Sequence, residues 1–236
     1  MTKITIITPS YRIDNLYKIK ESINFEYVHE WIIVYDGSKI ITNPYLFKED
    51  NKIKEYIYKC SGISGNGQRN YALSKITNED TLLYYLDDDN IIHPNLYNLL
   101  NNIENNTIYS FNQYNRIKGG NPNIGYIDTA MVLIPFNLCK NIIWKLDIYE
   151  ADGHYIKDCI DSNRDKHVYI DQDLCYYNDN NYVYKESFLK ICIFSYIQFV
   201  FISLINLSYF FISLINLSCI TFFDFISCII FFYFTD

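Results

Sequence analysis

The chain has 236 residues, enough for one domain with a sizeable core, or one domain and an appendage. Half of the residues are hydrophobic and 18% are aromatic, which excludes a disordered chain. A formal net charge of -7 with no basic cluster argues against a polymeric nucleic-acid partner, although a nucleotide substrate stays open because a divalent cation reverses local charge.

In chain order, Lys3 to Thr8 is a β-branched run closed by Pro9-Ser10, the pattern of a strand entering a loop. No secretory signal is expected, because this apolar stretch is too short for one. Leu16, Ile19 and Ile23 recur at helical spacing, and Trp31 to Tyr35 forms a second apolar strand ended by Asp36-Gly37-Ser38. Ile53 to Tyr58 fits a third strand, followed by the loop Ser61 to Gly67 and a helix over Gln68 to Ile76. Thr81 to Leu86 is a buried strand that delivers Asp87, Asp88 and Asp89 at its carboxyl end. Pro94 suits the first turn of the next helix. Uninterrupted apolar strands alternating with amphipathic helices predict an α/β fold with a mostly parallel sheet covered on both faces.

Further along, Ile108 to Phe111 and Ile127 to Ile134 read as strands separated by a Gly/Asn-rich loop. Asp152-Gly153 opens a short helix over about His154 to Ile160, and Val168 to Tyr177 fits either a strand or a helix. Seven scattered cysteines with no C-x-x-C pair suggest reduced, mostly buried thiols, which suits a cytosolic setting.

The character changes after Lys190. From Ile191 to Thr235 there is no Lys or Arg, and Asp224 is the only acidic residue. The octapeptide FISLINLS occurs at 201–208 and again at 211–218. Such a stretch is long enough to cross a bilayer as a helix, so the expected organisation is a domain over 1–186 and a hydrophobic, transmembrane helical tail over 187–236. Lys185 and Lys190 flank the entry, which places the domain on the cytosolic face by the positive-inside rule. A soluble buried helix and a tail without function are the competing readings.

Three consecutive carboxylates after an apolar strand are costly to assemble unless a cation or water neutralises them. Oxygen ligands at that position suit a hard divalent ion, Mg2+ or Mn2+, in the crevice where open α/β sheets hold their ligands. The plain alternative is a solvated turn with helix-capping aspartates.

Four motifs occur in order: Thr8-Pro9-Ser10-Tyr11-Arg12, Trp31 to Ser38, Gly67-Gln68-Arg69-Asn70-Tyr71-Ala72-Leu73, and Tyr85-Leu86-Asp87-Asp88-Asp89-Asn90. Over residues 3–177 this order resembles glycosyltransferases of the GT-A type, both family-2 enzymes and the β-glucuronyltransferases with their D-x-D motif. The resemblance implies a Rossmann-like sheet flanked by helices and a UDP-sugar donor. It further implies that Pro9, Tyr11 and Arg12 form the first nucleotide-contacting loop and that Asp36 holds uracil or ribose. Arg69 and Asn70 would lie against the nucleotide, and Asp87 and Asp88 would meet ribose or sugar. Asp89 would be the direct metal ligand, with Asp87 contributing. An inverting transferase needs a general base, for which Asp152 is the first candidate and Glu150 the second. Asp128 would help bind donor sugar or acceptor, and His167 is a possible further metal ligand, whereas His93 is expected to pack at a helix start. The implied partners are the nucleotide-sugar, a glycan, protein or lipid acceptor, and a membrane through the tail. Two other readings are a nucleotidyltransferase-like enzyme, disfavoured because no Gly-rich basic phosphate loop is present, and a non-catalytic membrane protein with a degenerate transferase domain.

Overall fold

The computed structural model describes residues 2–39, 45–59 and 62–177. Ser61, the apolar tail and its expected membrane span lie outside the described residues. Within them, no helix is long and apolar enough to cross a membrane.

Seven strands form one sheet in the order β3-β2-β1-β4-β6-β5-β7. The strands are β1 (Ile4–Ser10), β2 (Val28–Asp36), β3 (Ile53–Tyr58), β4 (Leu82–Tyr85), β5 (Ile108–Gln113), β6 (Val132–Pro135) and β7 (His167–Cys175). The helices are α1 (Asn15–Ser22), α2 (Asn66–Leu73), α3 (Asn95–Leu100), α4 (Phe136–Cys139) and α5 (Ala151–Asp161). Only β6 runs antiparallel to its neighbours, β4 and β5. The α/β, mostly parallel architecture read from the sequence is the one observed.

All of β1 is buried, as expected of a strand with neighbours on both sides and helices on both faces. Both of its threonines are paired, whereas the buried Ser10 hydroxyl at its carboxyl end has no hydrogen-bond partner. Thr8 Oγ1 accepts from Trp31 Nε1 at 2.9 Å, and the Thr5 and Thr81 hydroxyls lie 3.1 Å apart. Helix α1 buries Leu16 and Ile19. Helix α2 differs, because Asn66, Gln68 and Arg69 are buried along with Ala72 and Leu73. A helix that buries polar side chains faces either a network or a ligand, and here it faces a cleft.

Two expectations change. The strand expected over Ile127 to Ile134 begins only at Val132, because Asp128 caps a 3-10 turn over Thr129–Met131 first. The last helix begins at Ala151, so Asp152 sits in its first turn and Glu150 takes the N-cap position. The ambiguous segment after Val168 is strand β7, parallel to β5 from the pair Ile108 and His167 onward. Among the described residues, Cys139, Cys159 and Cys175 are free, buried thiols.

Candidate functional site

A cleft of about 600 Å³ opens at the carboxyl ends of β1, β2 and β4. It is the position where a parallel sheet presents backbone groups and side chains to a ligand. Pro9, Tyr11, Arg12, Asp36, Arg69, the run Asp87 to Asp89, Asp128, Glu150 and Asp152 all line it. Of the residues singled out from the sequence, Asn70 and His167 are not among the lining residues.

The loop after β1 and the loop after β4 are locked together by Asp88. Its Oδ2 accepts from the Tyr11 and Arg12 backbone N–H groups at 2.7 and 2.8 Å. Its Oδ1 accepts from Arg12 Nη1 at 3.0 Å, and its carbonyl accepts from Asn15 Nδ2 at 2.8 Å. The residue is 3% exposed. Burial raises the Asp88 carboxyl despite these donors and the nearby arginine. Asp88 is therefore a clamp between two loops, and its oxygens are engaged by the protein rather than turned to a sugar. Arg12 reaches further, with Nη1 also 2.6 Å from Asp89 Oδ2. Burial opposes the Arg12 cation, but the Asp89 and Asp88 carboxylates outweigh it and hold its pKa above the ordinary value.

Asp87 belongs to a second ion pair. Its Oδ1 accepts from Arg69 Nη2, and its Oδ2 makes only a long 3.5 Å contact with Thr129 Oγ1. Arg69 is 4% exposed, donates to the Ser64 carbonyl at 2.7 Å, and lies 4.7 Å over the Trp144 ring. Its role is thus to hold Asp87 from beneath. Asn70 turns away from the cleft and grips the Trp144 backbone, donating to its carbonyl at 2.9 Å and accepting from its N–H at 2.8 Å. Asn66 Nδ2 donates to the Ile148 carbonyl at 3.2 Å. Two asparagines of one helix therefore pin the segment 144–148 that leads into α5.

That segment brings in the third set of carboxylates. Asp152 lines the cleft from the first turn of α5, with Oδ1 accepting from Gly153 N at 2.7 Å. Burial pushes its carboxyl up to about 6, and the charges of Asp128 and Asp87 add to the rise. Asp128 accepts from Thr129 N at 2.6 Å and from Gln113 Nε2 at 2.9 Å. Its carboxyl is also raised, first by burial and then by the charge of Asp87. Glu150 is exposed at the rim. Asp36 closes the opposite wall, where its Oδ1 accepts from Ser38 N at 2.9 Å in a turn.

His167 lies at the amino end of β7, with Nε2 2.9 Å from Ser110 Oγ, at the wrong end of the strand for a metal ligand here. His93 packs against the Tyr176 ring at 4.7 Å, and burial lowers its pKa. Trp144, Thr129, Gln113 and Asn66 were not singled out from the sequence. The one available signal is in α2, where Gln68 and Arg69 lie four residues before Ala72 and Leu73 and so share the face that those apolar residues bury.

Among the described residues, no group of three or more His, Cys, Asp or Glu side chains is arranged to hold a metal ion. The donor chemistry nevertheless fits a hard divalent cation. Asp87 Oδ2 has no close partner and Asp89 adds a partly exposed carboxylate, 28% accessible. Mg2+ is commonly held by one or two carboxylates, with the substrate's phosphates and water supplying the rest.

No family model and no curated protein sequence matches the chain. Its fold is similar to the crystal structure of S. aureus TarS 1-349, with a TM-score of 0.57 at 15% identity over 74% of this chain and 60% of that one. The same fragment in complex with UDP-GlcNAc gives a TM-score of 0.57 at 16% identity, over 75% and 58%. In complex with UDP it gives 0.55 at 14%, over 75% and 60%. At such identity the likeness is one of fold, the GT-A type expected from the sequence. The chain spans about 60% of the length of the TarS fragment it matches.

Proposed function

We propose that this chain is a glycosyltransferase that moves a sugar from a nucleotide-diphosphate donor, a UDP-sugar, to an acceptor hydroxyl with inversion. The observation that carries the reading is the convergence of three carboxylate sets on one cleft: Asp36, the acidic run, and Asp152 with its pKa raised to about 6. A similar fold with UDP-GlcNAc bound supports the choice of donor.

In this reading Asp36 and the Pro9 to Arg12 loop receive the nucleoside, and Asp128 with Gln113 behind it meets the sugar. The Asp152 carboxylate takes the proton from the acceptor hydroxyl while that oxygen bonds to the anomeric carbon. The bond from that carbon to the diphosphate breaks, and the electron pair leaves with the nucleoside diphosphate. A pKa near 6 suits the task, because the group is mostly ionised at neutral pH yet basic enough to accept a proton. Asp89 and Asp87 would hold Mg2+ or Mn2+, whose charge stabilises the leaving diphosphate. Glu150, exposed at the rim of the same cleft, is the second candidate for the base. The apolar tail anchors the domain to a membrane from the cytosolic side.

The test is turnover of UDP-sugars by the full chain with Mn2+, compared with an Asp89→Asn variant. Loss of turnover in the variant is expected. Absence of metal-dependent binding of any sugar nucleotide to the wild-type chain rejects the proposal.

A further inference from the structure

We propose that Arg12 is a built-in counter-ion of the acidic loop, competing with the divalent cation for Asp89 and yielding it when nucleotide and metal arrive together. The inference rests on the metal site proposed above. One guanidinium nitrogen, Nη1, bridges two carboxylates, Asp88 Oδ1 at 3.0 Å and Asp89 Oδ2 at 2.6 Å. The two contacts are not equivalent. The Asp88 side chain is 4% exposed and held by two backbone N–H groups, so it is fixed and cannot follow a ligand. Asp89 is 28% exposed, and among the described contacts Arg12 is the cation that meets it. The Arg12 side chain is 36% exposed and stands beside the Tyr11 ring at 4.5 Å, on the cleft wall.

This asymmetry makes an exchange simple. When Asp89 turns to a cation, Arg12 keeps Asp88 as a partner, so neither charge is stranded in a partly buried site. The N–H of Nη1 that is freed is then available to an anion in the cleft that Arg12 lines, such as a diphosphate, while Nη2 stays with the Tyr11 hydroxyl. Without nucleotide the arginine neutralises the run and weakens capture of free metal. With nucleotide its charge finds a second anionic partner and the competition ends. Metal and nucleotide would thus bind with positive coupling.

The experiment measures Mn2+ affinity of the full chain from the free-ion electron paramagnetic resonance signal, with and without UDP. Arg12→Gln, lacking the charge, should bind Mn2+ roughly threefold to tenfold more tightly than wild type without UDP, and should lose most of the tightening that UDP gives wild type. Arg12→Lys keeps the charge but not the planar fork, and should bind Mn2+ less tightly than Arg12→Gln without UDP; binding as tight as that of Arg12→Gln overturns the inference. Unchanged or weaker Mn2+ binding by Arg12→Gln, with wild type still binding Mn2+ in the presence of UDP, overturns the inference and leaves the metal site standing. Failure of wild type to bind Mn2+ even with UDP overturns both. A measurement on unsubstituted protein guards against a folding defect in the variants. With the chain's four arginines 15N-labelled, the Arg12 side-chain resonance should move on adding Mg2+ and UDP, and an unmoved resonance overturns the inference.

Discussion

At Asp152, burial outweighs the two groups that favour the ionised form, the Gly153 N–H and the charge of Arg69. If this carboxylate is the base, the rate of transfer should fall about tenfold per pH unit below about 6, and a pH-rate profile without that limb would remove Asp152 from the role. The same shift bears on stability. Folding raises this pKa from 3.8 to about 6, so the contribution is fully present below pH 3.8 and lost as pH rises through about 6. Asp152→Asn should therefore stabilise the chain at pH 8 by about 1–2 kcal/mol in thermal unfolding while abolishing transfer. Asp88 behaves oppositely under truncation. Asp88→Ala leaves the Tyr11 and Arg12 backbone N–H groups without their acceptor and leaves the Arg12 guanidinium Asp89 as its carboxylate partner, and should cost about 2–4 kcal/mol in urea unfolding. The acidic run was legible in the sequence as a unit. Its division into a part held by Arg69, a buried clamp and a part shared with Arg12 was not, because the partners lie 18 to 77 positions away.

Among the elements, β1, β2 and β4 were legible because fully buried parallel strands appear as unbroken apolar runs. Strand β6 is shorter than its apolar run, because Asp128 caps a 3-10 turn whose apolar residues have the same character as strand residues. Helix α2 is legible in the sequence but the place of Asn70 is not, because its two bonds to Trp144 hold a loop that no sequence pattern ties to it. Asn70→Ala should release that loop at a cost of about 1–3 kcal/mol and shift Trp144 fluorescence to the red. An unshifted emission would mean that the loop is held by its other contacts. The entry to α2 depends on Gly65, which has φ of +79° and where a Cβ would lie 2.7 Å from Pro9 Cβ. Gly65→Ala should lower stability by about 1–3 kcal/mol and weaken UDP binding, both read in one ligand-dependent melting series.

For the whole molecule, the change of composition after Lys190 was plain from the sequence, since a run without Lys or Arg needs no structural help to be seen. If residues 191–235 anchor the chain, the full chain should sediment with membranes and a chain ending at Glu186 should not; a full chain that stays in the supernatant refutes anchoring. Within the sheet, stiffness is unevenly distributed. Strands β1 and β2 are matched along seven positions, whereas β6 joins its neighbours through Leu82 with Pro135 and Leu83 with Ile134 on one side, and Tyr109 with Leu133 and Ser110 with Val132 on the other. Under thermal or pulling load the sheet should part along this narrow strand first. The cleft straddles that seam, with Asp89 following β4 and Asp128 preceding β6, so any molecule touching both acts as a cross-brace. Bound UDP-sugar should accordingly slow hydrogen exchange at the β6 amides more than at those of β1, which makes the mechanical weakness of one short strand a gauge of occupancy.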